Sequence, residues 1–263
     1  MTAVAERTAV FSERRQRAQD LAGRFDYAAE PLRLYAALLD AQERAHQRAI
    51  DERPSPQDLA DFIVKRSLPG VMDVTMTAGT ETLREAVLLR FHEGDLDGLI
   101  RAWLAGETLP ETDAYLARAA ASPVLEAFPD AAPLRADADD DRRCPACRGV
   151  PQLAIFGETS EVLVTPQRRL LCSRCATEWA YPRMTCVSCR ETEGAKMPIL
   201  ADETRLPYMR ADACDTCHAY LITVDVRKEP GAVPLVDEIA ALPLDLLAAE
   251  RGYAKISRNV MGF

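Results

Sequence analysis

The eight cysteines fall into four Cys-x-x-Cys pairs, and the spacing of those pairs constrains the fold more than any other feature of the chain. The pairs are Cys144 with Cys147, Cys172 with Cys175, Cys186 with Cys189, and Cys214 with Cys217. Adding 42 to each cysteine number of the first two pairs gives a cysteine of the last two, so residues 144–217 read as two copies of one unit, each with two turns separated by 24 residues. This is the spacing of a metal ribbon rather than of a disulfide framework. A Cys-x-x-Cys turn brings two thiolates to one ion while its backbone N–H groups face the sulfurs, and a short hairpin returns the second turn to complete a tetrahedron. The count predicts two metal ions per chain. Each copy has too little apolar sequence to fold by burial alone, so metal binding would supply part of its folding free energy.

Composition fits this reading. A chain of 263 residues with 48% hydrophobic content can bury a sizeable core, as one large domain or two smaller ones. The formal charge of -9 argues against general affinity for nucleic acid or for anionic membrane surfaces. The opening MTAVAERTAVFSERRQ carries charges where a signal peptide needs an apolar run, and no later stretch approaches a membrane span. The expected compartment is the cytoplasm, whose reducing poise favours metal over four disulfides.

Residues 1 to about 135 contain no cysteine and read as helical. After Pro31, Leu34, Leu38, Ala41, Ala45 and Ala49 recur at helical steps beside Tyr35, while Arg33, Asp40, Glu43 and Arg44 take the other face. Ser55-Pro56 resembles an N-cap with proline at the first helical position, followed by Leu59, Phe62 and Ile63. A third helix starts near Thr80 or Thr82 and ends at Gly94, and Asp95 caps a fourth with Leu99, Ile100 and Trp103. Two shorter helices are expected, over residues 111–120 and from Ser122-Pro123 to Phe128. His46 with Glu43, and His92 with Asp95, are too few ligands for a metal site and suit surface ion pairs; Tyr35 and Trp103 read as core.

Where the helical pattern stops, ADADDDRR at residues 136–143 lacks large apolar anchors and the spaced ligands of a calcium loop, so it reads as a solvated linker. Beyond it the period is strand-like. Residues 153–156, 162–165, 169–172 and 178–184 are candidate strands of the first copy, and 196–200 and 220–226 of the second, each copy making a small antiparallel ribbon. The tail over residues 235–253 predicts a helix broken or kinked at Pro243, with Val236, Ile239, Ala240, Leu242, Leu246 and Leu247 available to hold the ribbons against the helical half; docking a partner is the alternative role.

The cysteines admit competing chemistries. Cys214-Asp-Thr-Cys217-His218 matches the haem c attachment pattern, but attachment would require export and would strip the second copy of half its ligands, which leaves His218 as a bystander. A thioredoxin-like dithiol suits any single pair, yet four pairs in numerical repeat without a βαβ pattern fit metal better. Counting leaves cross-braced pairing open, while the 42-residue repeat favours sequential pairing. Four thiolates suit zinc and equally a single iron of the rubredoxin kind. Arg148, Arg174 and Arg190, beside or between ligands, are either counter-charges to the thiolates or ordinary surface arginines. A site of four cysteines is closed, which disfavours hydrolysis at the metal. The chain shows neither a catalytic triad nor a phosphate-cradling glycine loop.

Several of these stretches carry a resemblance. Cys144-Pro-Ala-Cys147 with Pro151, LLCSRCATEW from Leu170 to Trp179 and LPLDLLAAERGY from Leu242 to Tyr253 resemble the FdhE family of formate dehydrogenase accessory proteins, and PLRLYAALLDAQ from Pro31 to Gln42 is similar more loosely. The resemblance implies a cytoplasmic, non-enzymatic factor needed for active formate dehydrogenase. It also implies rubredoxin-like sites holding iron, with zinc the alternative, and a partner in the dehydrogenase catalytic subunit before export. The family often has glycine directly after the second cysteine of the first and last turns, where Arg148 and His218 stand here, and Val260-Met-Gly replaces its usual proline-phenylalanine ending.

The expected architecture is α+β. It comprises an N-terminal all-helical domain over residues 1–140, two tandem rubredoxin-like (zinc-ribbon-like) four-cysteine metal units over 141–184 and 185–228, and a C-terminal helical segment over 229–263. The expected function is assembly of formate dehydrogenase. The alternatives are a nucleic-acid-binding zinc-ribbon protein, which would need a basic face, and an electron carrier with two iron sites.

Overall fold

The computed structural model of the chain describes residues 2–137, 139–157 and 168–263. The chain divides into two compact units. The first comprises Met1–Arg135 with Arg174–Ala176 and Val260–Gly262, and the second Ala136–Ser173 with Thr177–Asn259 and Phe263.

The first unit is helical: α1 (Thr2–Arg24), α2 (Ala29–Glu52), α3 (Leu59–Phe62), α4 (Leu68–Ala78), α5 (Glu81–Glu93), α6 (Leu96–Ala105) and α7 (Glu111–Ala127). α2 is the hub, touching α1, α4 and α7. Its stripe of Leu34, Leu38, Ala41, Ala45 and Ala49 is buried as the periodicity predicts, and Leu32, Leu39 and Gln42 widen it. α1 adds Phe11, Ala18, Leu21 and Ala22 to the core. Its Arg14 makes a two-pronged ion pair with Glu126 of α7, at 2.9 and 2.7 Å. Thr80 accepts from the Leu83 amide at 3.1 Å, Asp95 accepts from the Gly98 amide at 3.0 Å, and Gly94 ends α5 at φ 78°, as the cap pattern predicts. Ser55 instead closes a turn on Asp58, and the helix begins at Leu59; a π-helical turn (Ile63–Ser67) leads on into α4.

Two local expectations fail here. Residues 111–127 form one helix that runs through Pro123 rather than two short ones. Proline at 123 leaves the Ala119 carbonyl without its helical donor. Gln42 of α2 supplies one, Nε2 donating to Ala119 O at 3.0 Å, and Ser67 Oγ donates to Ala120 O at 2.7 Å, so the helix survives its proline because its neighbours satisfy it. His46 lies buried against Phe11, with ring centroids 5.3 Å apart, rather than at the surface; Glu43 pairs with Arg15 at 2.8 Å.

The second unit is built on one sheet of β1 (Pro151–Phe156), β2 (Arg168–Cys172), β3 (Glu178–Ala180), β4 (Ile199–Ala201), β5 (Met209–Ala213), β6 (Ala219–Asp225) and β7 (Ala254–Lys255). Its order is β3-β2-β1-β6-β5-β4, with β7 also paired to β6. Each copy contributes an antiparallel three-strand ribbon, as expected. The two ribbons are fused by parallel pairing of β1 with β6, from Leu153 opposite Ile222 to Phe156 opposite Asp225. β1 is therefore central and buried along its whole length, which explains the unbroken apolar run Leu153–Phe156 where a free ribbon would alternate. The candidate strand at 162–165 lies outside the described residues, β5 was not anticipated, and β3 stops at Ala180.

The tail makes α8 (Pro234–Asp237), a 3-10 turn (Glu238–Ala241) and α9 (Leu242–Glu250), with Pro243 in the first turn of α9, where its missing N–H costs nothing. Leu235 packs on Leu153, Ile155 and Leu171, and α9 packs on β4 and β5. Leu246, expected to pack, is 57% exposed. Beneath the tail lies a buried ionic cluster. Lys255 pairs with Glu238 and with Asp245 at 3.1 Å, and Tyr220 donates to Asp245 at 2.8 Å. Burial, with Glu238 nearby, raises the Asp245 carboxyl above its ordinary range. Among the described residues no helix is long and apolar enough to cross a membrane.

Candidate metal centres

The eight sulfurs gather into two groups. Cys144, Cys147, Cys172 and Cys175 form one, and Cys186, Cys189, Cys214 and Cys217 the other, with the sulfurs of each group within 4.8 Å of one another. Pairing is sequential, not cross-braced. The Cys186–Cys217 and Cys189–Cys214 sulfurs stand 3.7 Å apart and Cys147–Cys172 3.3 Å, all far beyond a disulfide bond. A tetrahedron with metal–sulfur arms of about 2.3 Å has edges of about 3.8 Å, so the second group in particular has the spacing of a four-thiolate ion site. The first group is fully buried, whereas in the second Cys189 is exposed and Cys217 half-buried.

Local backbone geometry makes each half-site. The amide of each leading cysteine donates to the carbonyl five residues on: Cys144 to Gly149 at 2.9 Å, Cys172 to Thr177 at 3.0 Å, Cys186 to Glu191 at 2.8 Å and Cys214 to Ala219 at 3.0 Å. The residue after each second cysteine is left-handed: Arg148 at φ 60°, Ala176 at 55°, Arg190 at 68° and His218 at 54°. This reversal is what turns the following amides toward sulfur, and it explains why glycine suits such positions. In the second group the amides of Cys189 and Ser188 donate to Cys186, that of Glu191 to Cys189, and that of Ala219 to Cys217. The Glu191 carboxylate accepts from Thr216 Oγ1 at 2.6 Å and thereby ties the two turns of this group together.

These contacts prepare the thiols unequally. Burial pushes the Cys186 thiol up to about 12 despite its amide donors. At Cys217 burial also acts upward, but the Ala219 amide, the Ser188 side chain and the neighbouring thiols outweigh it and the pKa falls. Four thiolates at these spacings repel one another, and a cation among them is what lets all four ionise together. Both donor sets fit a tetrahedral thiolate-bound ion.

The three arginines considered as counter-charges are engaged elsewhere. Arg148 donates to the Asp137 and Asp140 carbonyls, and Arg190 pairs with Asp140 at 3.1 Å and Asp141 at 2.8 Å. Arg174 is buried within the first unit, 4.6 Å from the Trp103 ring centroid and 3.0 Å from the Leu104 carbonyl. The acidic segment that begins at Ala136 starts the second unit with Ala136, Asp137, Asp139 and Asp141 exposed, and it is also tied to that unit by specific contacts. Arg142 grips Asp140 and donates to Ser188 O at 2.7 Å, and Trp179 donates to Asp141 O at 2.9 Å. The hydrogen bonds from Arg142 hold the Asp140 carboxyl down at about 2.

His218 lies outside the cluster, its ring 6.2 Å from that of Tyr253. A group that residue-type reasoning missed is Arg168, 5% exposed, with Nη1 on Thr185 O at 3.0 Å beside Cys186. Nothing in the sequence distinguishes it from its neighbour Arg169.

The family model described as "FdhE, C-terminal domain" matches residues 184–261. A protein FdhE homolog of Aquifex aeolicus is 28% identical over 195 residues, 73% of this chain and 68% of that protein. The homolog of Stutzerimonas stutzeri is 33% identical over 47% of this chain, and protein FdhE of Escherichia coli 32% over 48%; the match spans only 39% of the length of each. The crystal structure of the FdhE protein from Pseudomonas aeruginosa has the same fold, with a TM-score of 0.67 over 96% of this chain and 95% of that one, at 23% identity.

Proposed function

We propose that the chain is a member of the FdhE family, whose C-terminal domain model matches residues 184–261, and that it is a non-enzymatic accessory factor for formate dehydrogenase. In this reading it acts in the cytoplasm and recognises the catalytic subunit of the dehydrogenase before export. Cys144, Cys147, Cys172 and Cys175 hold one metal ion and Cys186, Cys189, Cys214 and Cys217 a second, iron by family resemblance or zinc in its place. The observation that carries the reading is the gathering of four sulfurs in each cluster: with an ion bound, four thiolates would fill a tetrahedron and leave no position for substrate or water, which suits a scaffold for recognition better than a reaction centre. The outer face of α5 adds support, because Leu88, Leu89 and Phe91 are 46%, 62% and 51% exposed there, an apolar surface of the kind that protein partners cover.

The test is an anaerobic pull-down of the purified chain against the dehydrogenase catalytic subunit, with metal counted in the same sample. A specific complex with about two metal ions per chain is the expected result. Absence of binding with both ions in place would remove the accessory reading and leave the metal ribbons. A second reading, electron transfer, draws on the exposure of Cys189 at the second cluster. It requires a visible band that bleaches reversibly on reduction, and a colourless zinc protein rules it out.

A further inference from the structure

Beside the second cluster, within the second unit, lies a cavity of about 100 Å³ whose wall carries Arg168, Arg183 and Arg210 against, among the described residues, a single carboxylate, Asp212. Three guanidinium groups against one carboxylate make a cationic wall, whose other anionic neighbours in the lining are the thiolates of Cys186 and Cys214. Asp212 is already committed. It accepts Arg210 Nε at 2.8 Å on one oxygen and Thr223 Oγ1 at 2.7 Å on the other, and it stands 3.8 Å from Arg168 Nη2. Arg168 is only 5% exposed, and its Nε has no hydrogen-bond partner among the described residues. Arg183 and Arg210 both lie 5.0 Å from the Phe156 ring centroid, which gathers their charge at one place. Among the described residues no carboxylate pairs with Arg183.

The wall also includes apolar groups that face water. Met184 is 66% and Ile199 58% exposed. Met184 is held at φ 55°, a left-handed conformation that a non-glycine residue keeps only under constraint and that recurs at binding sites. Ile199 opens β4, the last strand of the sheet, which among the described residues pairs on one side only. A segment laid along that edge would find backbone donors and acceptors and would direct alternate side chains inward.

We propose that this cavity binds a carboxylate side chain of an extended acidic peptide that docks along β4. The peptide's carboxylate meets the donors of Arg183 and Arg168, and its neighbouring side chains cover Met184 and Ile199. The inference goes beyond the accessory-factor reading and does not depend on which protein supplies the peptide. The competing role for these arginines is to offset the thiolate charge of the adjacent cluster, since Cys186 and Cys214 also line the cavity.

The experiment is calorimetric titration of the metal-loaded full chain with a blocked hexapeptide of alternating valine and glutamate, and with its glutamine counterpart. Saturable binding of the glutamate peptide is expected, with affinity about tenfold or more lower for the glutamine peptide and for Arg183→Gln, and with metal content unchanged. Arg183 is exposed, so the variant does not disturb packing; Arg183→Glu should weaken binding further. Four results overturn the proposal: no saturable binding, equal binding of the glutamine peptide, full displacement of the peptide by equimolar acetate or inorganic phosphate, or loss of metal in Arg183→Gln with peptide binding unaltered.

Discussion

Replacing Ala176 by glycine should stabilise the metal-loaded protein. An L-residue held left-handed loses roughly 1–2 kcal/mol relative to a right-handed one, and Ala176 sits at φ 55°. Glycine removes that strain but gives the unfolded chain more freedom, at a cost of roughly 0.5–1 kcal/mol. The difference is a gain of about 0.5–1 kcal/mol, with only a methyl group lost. His218→Gly should behave alike, since its exposed ring has only the Tyr253 ring 6.2 Å away to give up. Arg148→Gly and Arg190→Gly form the contrast, because they also lose the guanidinium contacts to the 136–143 segment, and those losses offset the relief. Thermal unfolding of metal-loaded protein should show an upward shift of about 1–4 °C for Ala176→Gly and His218→Gly. Slower metal release to a chelator should accompany it. A lower melting temperature or faster release in Ala176→Gly would refute the argument that backbone strain is stored after each second cysteine.

Four further outcomes follow from the same structure. Cys172→Ser should lose one of two metal ions and loosen its ribbon, so full retention of both ions would falsify its role as an essential ligand. Metal binding must displace the proton that burial keeps on Cys186; a raised thiol pKa means that the ion binds more tightly as pH rises, and chelator competition at about pH 6 should strip the second site faster than at about pH 8. Gln42→Leu should destabilise the first unit by about 1–3 kcal/mol by orphaning the Ala119 carbonyl, and adding Pro123→Ala, which restores the helical donor, should recover much of it. Additive effects in that double-mutant cycle would show that the glutamine has another role. Lys255→Met leaves Glu238 and Asp245 buried without their cation, at a cost of about 3–5 kcal/mol, and limited proteolysis should cut after β6 in the variant far sooner than in the parent.

The cysteine spacing made the two four-cysteine clusters legible, and the repeat favoured sequential over cross-braced grouping because each duplicated unit then carries its own cluster. The helix caps at Thr80 and Asp95 and the buried stripe of α2 were equally legible, since caps and periodicity are set by residues three or four apart. Expectations failed where a distant group intervened. Pro123 reads as a break until Gln42, 77 residues before Ala119, is placed beside that carbonyl. The acidic segment before Cys144 is largely exposed as its composition predicts, but nothing in its own sequence foretells that Arg190 and Trp179 tie it down.

The sequence by itself determined that there are two four-cysteine units after a helical half, because ligand spacing and amphipathic period are local properties that no later packing can reassign. Only the tertiary structure decided that the two ribbons share one sheet. That rests on parallel pairing between β1 and β6, strands far apart in the chain, whose backbone hydrogen bonds do not name their partner strand in the sequence. The same holds for the cationic cavity. Arg168, Arg183 and Arg210 are ordinary arginines in the chain, and they share one cavity wall only because the fold brings them together.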